Sequence, residues 1–343
     1  MADARPNARQ LHDDALVIDG LVYHSDGDTG DLKAGGIDAL NVTVCHFEAD
    51  FAQACDEVAR WHGRLARTDC RWLQIETADD FDRARAAGKT GVILGWQNCR
   101  PIADELDRFA FFRRLGLRIM QLTYNFRNAL GDGCLEPEGA GLTPLGRDAV
   151  RLMNELGIAI DLSHVGERTM RDAIEASTQP VLITHANAHA LAPLERNKSD
   201  EIIRMVAQKG GVIGASIYGP MCWDGDAARK PSIDDYIAHV EHIVEIAEPE
   251  HIGFGTDLAA GANYPKMAFE RGHWRRWEGI NRFNRAFGED IPARYLADCN
   301  KHSDLPKVTE RLLARGWSED NVRGYLGGNF RRVLGGIWRA GSH

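Results

Sequence analysis

The sequence predicts an α/β protein in which parallel strands close into a (β/α)8 barrel of the TIM type. About eight short apolar segments alternate with amphipathic helical segments, without an intervening linker. The apolar segments lack a helical period, which is typical of strands buried on both faces. The chain has 343 residues, more than the roughly 250 that such a barrel needs. A doubly wound open sheet is the alternative, but no Gly-x-Gly-x-x-Gly motif follows a strand.

The composition indicates a soluble globular protein and disfavours two classes of partner. Hydrophobic residues make up 44% of the chain and charged residues 27%, as in ordinary folded domains. The formal net charge of -9 disfavours nucleic acids and anionic membranes, which bind to basic surfaces. No apolar run reaches about 18 residues, and residues 1–14 lack the apolar core of a signal peptide. We therefore expect a cytoplasmic protein.

The seven cysteines are expected to be reduced thiols. Their number is odd, and no two of them form a Cys-x-x-Cys pair. These features argue against a disulfide framework and against a thiolate zinc site, and they agree with a cytoplasmic location.

In the first half of the chain, strands are predicted where short apolar runs end at polar or glycine-containing segments. Helices are predicted where apolar residues recur at helical spacing, as Ala54, Val58 and Trp61 do. The predicted strands cover residues 15–19, 39–45, 73–76, 90–94 and 119–123, and the predicted helices cover 51–66, 78–87 and 102–115.

The second half of the chain continues the alternation, and we interpret residues 1–343 as one barrel domain. A glycine-rich loop at 126–142 is expected to cover the active site. A Trp- and Arg-rich insert around 261–300 is expected to form a lid or an oligomer contact, such as that of a homodimer. Helices are predicted over 144–156, 167–177, 199–209 and 233–247 and from 305 onward, and strands in the stretches 157–165 and 180–187 and over 212–217 and 251–255.

Two consecutive strand-like stretches each break off at a histidine, His164 in the first and His185 in the second. Consecutive parallel strands are neighbours in a barrel, so both imidazoles should meet at its C-terminal mouth. Converging imidazoles are typical zinc ligands. A single histidine at a strand end is more often a hydrogen-bonded structural residue, and the repeated position favours the metal site.

Other polar residues also end predicted strands, namely Gln97, Tyr124 and Asp257. Asp257 can accept a proton from the attacking water, and a helix cap or turn is its alternative role. Arg196 lies in the loop after the second histidine, where it suits bidentate binding of a substrate carboxylate. Its alternative role is a surface charge near a helix cap at Ser199.

The tripeptide His24-Ser25-Asp26 follows the first predicted strand. A His-x-Asp pair at the end of strand 1 is a common ligand pattern in metal-dependent barrel hydrolases. Here the pair begins four residues after residue 20, where that strand is predicted to end, so a solvated loop is the default interpretation. His24 and Asp26 are therefore the weaker metal-ligand candidates.

A set of ordered motifs covers nearly the whole chain. They read Val-Ile-Asp-Gly (17–20), Leu-Gly-Leu-Arg (115–118) leading to Leu-Thr (122–123), Asp-Leu-Ser-His-Val (161–165), Thr-His-Ala-Asn (184–187), Arg-Asn (196–197), Gly-Phe-Gly-Thr-Asp (253–257) and Gly-Gly-Asn-Phe-Arg-Arg-Val (327–333). This set resembles the renal (membrane) dipeptidase family, peptidase family M19, a branch of the amidohydrolase-like metal-dependent barrels.

The resemblance implies a binuclear zinc site that hydrolyses dipeptides, including some with a D-residue at the C-terminal position. It also implies that His164 and His185 bind the second metal and that Arg196 holds the substrate carboxylate. Asp257 matches the acidic residue that handles the proton at the reacting centre. Tyr124 and Asn125 follow the Leu-Thr motif, and they are our candidates for contact with the substrate.

The sequence departs from the family's pattern around the first metal. The family's Asp-Gly-His-x-Asp reads Asp-Gly-Leu-Val-Tyr at residues 19–23, so both ligands to that metal are absent in register. Gln97 stands where the bridging glutamate is expected, and Tyr124 stands where a histidine is expected. A neutral amide cannot supply the charge of a bridging carboxylate. We therefore expect one zinc ion rather than two, bound by His164, His185 and Gln97.

Two functions are compatible with these residues. The preferred hypothesis is a metal-dependent hydrolase of the amide bond in a dipeptide or another small carboxylate-bearing substrate, in which Tyr124 donates to the oxyanion. The alternative is a catalytically altered relative that binds a small acid, or performs a lyase or isomerase step, without dipeptidase activity. The missing strand-1 ligands and Gln97 favour this alternative, whereas a His24 and Asp26 pair that reached the cavity would restore the two-metal enzyme.

Overall fold

The computed structural model describes residues 7–25, 29–137, 139–260 and 277–341. In this part of the chain the strands are β1 (Ile18–Ser25), β2 (Ala39–Thr43), β3 (Trp72–Gln74), β4 (Thr90–Trp96), β5 (Leu117–Gln121), β6 (Ala159–Asp161), β7 (Leu182–Ile183), β8 (Val212–Ala215), β9 (Ile252–Phe254) and β10 (Leu258–Ala260). The helices are α1 (Ala8–Asp14), α2 (Gly30–Ala34), α3 (Phe51–Leu65), α4 (Asp79–Ala86), α5 (Asp107–Arg114), α6 (Pro144–Glu155), α7 (Glu167–Ala176), α8 (Asp200–Gln208), α9 (Gly219–Cys222), α10 (Ile233–Ala247), α11 (Glu278–Phe287), α12 (Pro306–Ala314), α13 (Glu319–Arg323) and α14 (Asn329–Ala340).

The strands form one curled parallel sheet in the order β10-β1-β2-β4-β5-β6-β7-β8-β9, with β3 beside the first half of β4. β9 and β10 are two halves of one interrupted strand, since β9 pairs with β8 and β10 pairs with β1. Between these halves, the amide of Asp257 donates to the carbonyl of Leu21 in β1 at 3.0 Å. The sheet therefore closes on itself, and the predicted α/β barrel is confirmed.

The C-terminal helix fills the bottom of the barrel. Phe330, Val333 and Leu334 of α14 pack in one buried cluster with inward-facing side chains from the barrel strands. Those strand residues are Ile18, Ala39, Ile93, Ile119, Ala159, Leu182 and Val212. Because apolar side chains close the N-terminal end, a site can open only at the C-terminal ends of the strands.

Local signals in the sequence explain where most outer helices begin. α6 starts with Pro144 after Thr143, whose hydroxyl accepts from the amide of Gly146, and it ends close to the predicted boundary. The helix predicted over residues 102–115 begins later, at Asp107. Arg100–Ile102 form a 3-10 turn, and Ala103 has a φ of 52°, a left-handed conformation that an α-helix cannot include.

β1 corrects one prediction from the sequence. This strand runs from residue 18 to residue 25 rather than ending near residue 20, and His24 is paired in register with Ala259 of β10. His24 is therefore a strand residue, and its interpretation as part of a solvated loop was wrong.

Asp26 lies outside the described residues. So do residues 261–276 of the predicted insert, whose remaining part forms α11 and a 3-10 turn at Ile291–Arg294.

The cysteine prediction is confirmed, because all seven cysteines have free thiols. Within the described ranges, none of the helices has both the length and the apolar character that crossing a bilayer requires.

A buried ionic cluster connects β1 to the C-terminal region. Asp19 in β1 accepts hydrogen bonds from the amide and the hydroxyl of Thr256 at 2.8 and 2.6 Å. The imidazole of His302 lies between two carboxylates, with Nε2 3.3 Å from Asp19 and Nδ1 3.4 Å from Asp31. Burial lowers the pKa of His302, but its hydrogen bonds and charge interactions with both carboxylates outweigh burial and raise that pKa above 6.5. The cluster thus stabilises the strand at which the barrel closes.

We predict that His302→Gln lowers the free energy of unfolding by about 3 kcal/mol near pH 6, because it leaves Asp19 buried without its cation. A histidine with a raised pKa stabilises the fold fully below its unfolded pKa of about 6.5, and this stabilisation is lost as pH rises through the folded pKa. Urea unfolding of the wild type should therefore show a decline above about pH 6.5 that the variant lacks.

The matched control is His242→Gln, which removes a partly exposed imidazole paired with Asp200 at 2.9 Å. This change should cost at most about 1 kcal/mol, as exposed ion pairs do. Equal effects of the two substitutions would contradict a special contribution from the buried cluster.

Candidate functional site

His164 and His185 lie beyond the ends of β6 and β7, as predicted, and both side chains are buried. Their Nε2 atoms are 3.0 Å apart, and the centroids of the two rings are 5.0 Å apart. The barrel therefore brings the two predicted imidazoles to one point at its C-terminal mouth.

A buried carboxylate at the end of β6 sets this arrangement. Asp161 accepts hydrogen bonds from the amide and hydroxyl of Ser163 at 3.0 and 2.6 Å. It also accepts from the amide and hydroxyl of Thr184 at 3.0 and 2.8 Å. The hydroxyl of Ser163 then accepts from the amide of His185 at 3.1 Å. The residue before each histidine is thus bound to the same carboxylate, which sequence analysis did not single out.

The hydrogen-bond network assigns the tautomers of both imidazoles. His164 Nδ1 is 2.7 Å from Asn125 Oδ1, an acceptor, so Nδ1 carries the proton. His185 Nδ1 is 2.8 Å from the hydroxyl of Thr184, which donates its own hydrogen to Asp161. Nδ1 of His185 is therefore the donor in that contact. Both Nε2 atoms consequently present lone pairs to each other, an arrangement that requires a cation or a shared proton between them.

Both imidazoles are neutral near neutral pH. Burial lowers the pKa of His164 and of His185 well below 6.5, and the nearby positive charge of Arg196 lowers each further. Neutral imidazole is the form that binds a metal ion, and each Nδ1 already has the outer hydrogen bond that orients a metal-binding ring. The pair therefore fits two ligand positions of a zinc ion.

Gln97 is the third predicted metal ligand, and one of its side-chain atoms has no partner among the described residues. The side chain is 5% exposed, its Nε2 donates to the hydroxyl of Thr43 at 2.9 Å, and its Oε1 has no hydrogen-bond partner in the described part of the chain. A buried carbonyl oxygen without a partner is costly, and a cation would satisfy it. Within the same ranges, no three His, Cys, Asp or Glu side chains are grouped as metal ligands.

Tyr124 belongs to a column of rings that we call the aromatic ladder, formed by His46, Phe47, Tyr124 and His164. The ring centroids of Phe47 and Tyr124 are 4.0 Å apart at an interplanar angle of 8°, and those of Tyr124 and His164 are 4.0 Å apart at 21°. The ring of His46 lies against that of Phe47, with centroids 4.1 Å apart and an interplanar angle of 30°. The ladder leads from an exposed imidazole to the buried histidine pair. Burial raises the pKa of Tyr124 well above 10, so its phenol remains a donor.

Two buried basic side chains lie beside the histidines, and burial together with the charge of Arg196 lowers the pKa of Lys198 to about 7. The guanidinium of Arg196 donates to the carbonyls of Ser163 and of His185, the latter at 2.8 Å. Lys198 donates to the same Ser163 carbonyl at 2.6 Å. In the described part of the chain, neither side chain is within ion-pair distance of a carboxylate. Arg196 was predicted to bind an anion, whereas Lys198 was missed because nothing in its local sequence separates it from a surface lysine.

Asp257 occupies the break between β9 and β10 in a left-handed conformation with a φ of 58°. A Cβ on Gly255 would overlap the carbonyl oxygen of Thr184, so glycine permits the close approach of this break to β7. The hydroxyl of Tyr295 donates to the carbonyl of Asp257. Burial raises the pKa of the Asp257 carboxyl to about 7, although Arg196 acts in the opposite direction. A carboxyl that titrates near neutrality suits proton transfer.

The positions expected to bind a first metal hold other side chains. Leu21 is buried, and the tyrosine at position 23 replaces the aspartate of the family pattern. Asn125, predicted to contact the substrate, is bonded to His164 instead, and its contact with the substrate stays a prediction. In the part of the chain that the structure describes, one pair of candidate metal-binding imidazoles comes together.

Comparison with known families identifies a match to the model of the membrane dipeptidase family (peptidase family M19) over residues 28–270. That range includes every predicted site residue except His24 and Asp26. The chain is 30% identical over 266 residues to dipeptidase tcpJ of Claviceps purpurea, covering 77% of this chain and 55% of that protein. It is 32% identical over 287 residues to an uncharacterized dipeptidase of Schizosaccharomyces pombe, covering 80% and 58%. The chain therefore spans a little more than half the length of these relatives.

Solved structures share the architecture over nearly the whole chain. An amidohydrolase from Pseudomonas aeruginosa superposes with a TM-score of 0.84 at 30% identity, covering 97% of this chain and 99% of that one. A metallo peptidase from Rhodobacter sphaeroides, liganded with a phosphinate mimic of the dipeptide L-Ala-D-Ala, superposes with a TM-score of 0.76 at 21% identity, covering 95% and 100%. The second similarity concerns the fold alone.

We predict that Asn125→Ala weakens zinc binding by about 10- to 100-fold, because it removes the acceptor that orients His164. Competition with a chromophoric chelator measures the dissociation constant. Cys134→Ala is the control, since Cys134 contacts Asn125 at 3.5 Å and its loss leaves the bond between Asn125 and His164 in place. An unchanged zinc affinity in the Asn125 variant would show that this bond does not orient the ligand.

Proposed function

The chain belongs to the membrane dipeptidase family, peptidase family M19, and from that premise we propose that it is a metal-dependent hydrolase of the amide bond in a dipeptide or another small carboxylate-bearing substrate. The observation that carries the proposal is the pair of neutral imidazoles whose Nε2 lone pairs face each other at 3.0 Å. A metal ion is the ligand that such a pair fits.

We propose one zinc ion, bound by His164, His185 and the unpartnered oxygen of Gln97. When bound, zinc supplies Lewis-acid polarisation of the amide carbonyl and increases the acidity of the attacking water. A neutral amide in place of a carboxylate, together with the buried charge of Arg196 nearby, disfavours a second dication.

The chain's own residues account for the other parts of the reaction. Arg196, held by two backbone carbonyls, binds the substrate carboxylate with its remaining hydrogens. Asp257 accepts the proton of the water whose oxygen attacks the amide carbon. The phenol of Tyr124 donates a hydrogen bond to the resulting oxyanion. When the C–N bond breaks, Asp257 returns the proton to the leaving nitrogen, and the products are an acid and an amino acid.

A second candidate function follows from the neutral residues at the family's ligand positions. Gln97, Leu21 and Tyr124 are compatible with a relative that binds a small acid, or performs a lyase or isomerase step, without hydrolysis. The same Arg196 would hold the acid in that case.

The free thiols support a cytoplasmic location for this enzyme. We propose that the chain acts as one barrel domain, with the segment around 261–300 as a lid or a homodimer contact.

Metal analysis combined with a substrate panel separates the two candidate functions. The hydrolase should contain one zinc per chain and cleave members of a dipeptide and N-acyl-amino-acid panel, and His164→Ala should lose both zinc and activity. Activity that survives His164→Ala, or tight acid binding without any turnover, would contradict the hydrolase.

We predict that Arg196→Met lowers kcat/KM by about 100-fold, mainly through KM, because a charge-assisted pair with the substrate carboxylate is lost. Arg168→Met, which changes an exposed arginine of α7, should leave both constants unchanged. Circular dichroism and thermal unfolding establish that each variant is folded. An Arg196→Met enzyme with the KM of the wild type would exclude Arg196 as the carboxylate ligand.

The raised pKa of Asp257 predicts a pH profile. Since a general base must be ionised, kcat/KM should rise with pH through a midpoint of about 7 and level off above it. Asp257→Asn should abolish this limb and lower kcat by at least about 100-fold. Persistence of the same limb in the Asn variant would assign it to another group.

A further inference from the structure

The basic side chains beside the histidine pair have no carboxylate partner in the described part of the chain, and the guanidinium of Arg196 is a buried positive charge there. Arg196 and Lys198 are both buried, and neither has a carboxylate within ion-pair distance in the described ranges. A substrate that enters this site therefore meets positive charge, which attracts a carboxylate and repels an ammonium group.

The described carboxylates near these side chains are already engaged. Asp161 accepts four hydrogen bonds from Ser163 and Thr184, and Asp19 is bound to Thr256 and His302. Two further carboxylates nearby have other partners. Glu167 is bound to Arg171 and Ser199, and Glu195 accepts from the indole of Trp277.

Asp257 is the remaining carboxyl, and its proposed role prevents it from binding an ammonium group. The charge of Arg196 acts on this carboxyl, which in the proposed reaction accepts the proton of the attacking water. An ammonium group paired with Asp257 would hold that carboxylate in its ionised form and obstruct the transfer. Each of these described carboxylates is thus already bound to a protein donor or assigned to the proposed proton transfer.

The aromatic ladder suits an uncharged group instead. Its rings extend from exposed His46 through half-buried Phe47 to Tyr124 and His164 at spacings of 4.0 to 4.1 Å. Ring edges of this kind contact apolar and planar groups favourably, whereas a desolvated ammonium group beside them would lack a counter-ion.

Building on the amide hydrolysis proposed above, we propose that the preferred substrates are N-acyl amino acids with an uncharged acyl group, rather than dipeptides with a free amino terminus. Arg196 provides the positive charge for the single carboxylate of such a substrate, and Lys198 provides a further hydrogen-bond donor beside it. The ladder provides the wall against which its acyl group packs.

Two isosteric compounds test this preference. N-propionyl-alanine and glycyl-alanine have the same shape, and a methyl group in the first replaces the ammonium group of the second. We expect both kcat/KM and the affinity measured by calorimetry to favour N-propionyl-alanine by at least about tenfold. Equal or tighter binding of glycyl-alanine would overturn the proposal.

The calorimetric arm distinguishes this proposal from the proposed function. If the zinc-loaded protein hydrolyses neither compound, amide hydrolysis is contradicted. The ratio of the two affinities still decides whether the site prefers an uncharged acyl group or a free amino terminus.

Two substitutions of Phe47 in the aromatic ladder, one charged and one neutral, form a matched pair. Phe47→Glu should reduce the preference for N-propionyl-alanine at least about tenfold, because the new carboxylate can pair with the ammonium group. Phe47→Gln has nearly the shape of the glutamate variant without its charge, and it should prefer N-propionyl-alanine at least about tenfold more strongly than Phe47→Glu does. Equal preferences in the two variants would contradict an electrostatic origin.

Asp26 lies outside the described residues and is tested directly. Asp26→Asn should leave glycyl-alanine binding unchanged. A tenfold loss confined to glycyl-alanine would show that Asp26 binds an amino terminus, and it would overturn the proposal.

Discussion

The site depends on one buried carboxylate that binds two strand ends at once. Asp161 accepts hydrogen bonds from Ser163 and Thr184, the residues that precede the two histidines. A buried carboxylate that loses any of these donors is left with an uncompensated charge, so the two strand ends are fixed relative to each other. The 3.0 Å separation of the Nε2 atoms and the direction of their lone pairs follow from that constraint. The ligand pair is therefore organised by the protein itself.

A second buried carboxylate has the same role on the other side of the barrel. Asp19 binds the amide and hydroxyl of Thr256, the residue before Asp257, and His302 lies between Asp19 and Asp31. This network holds the break in the interrupted strand, where Asp257 adopts its left-handed conformation. The imidazole pair and the proposed general base are thus positioned by equivalent contacts, in each case an aspartate that binds a neighbouring Thr or Ser. Such rigidity is what a catalytic arrangement requires.

The balance of charge around the two imidazoles underlies both the proposed metal count and the proposed substrate. Leu21, Tyr23 and Gln97 stand where the resemblance implies metal ligands, and the cationic Arg196 lies with the buried Lys198 beside the two imidazoles. One positive ion can be accommodated where lone pairs face each other, whereas a second would meet the field of Arg196 with no carboxylate to bridge it. The same field attracts a carboxylate-bearing substrate. The proposed single metal ion and the proposed carboxylate-bearing substrate both rest on this one distribution of charge.

Periodicity and motif order were sufficient to predict the barrel, the free thiols, and the meeting of His164 and His185, because consecutive parallel strands must be neighbours. They could not predict that β1 continues to residue 25, since its pairing with β10 depends on a strand interrupted more than two hundred residues later. Nor could they identify Lys198 as buried, or show that Asn125 orients His164. Residue types and their spacing along the chain determined which groups reach the mouth of the barrel. Burial, tautomers and the net charge between these groups arise from contacts among distant segments, and only the tertiary structure decided them.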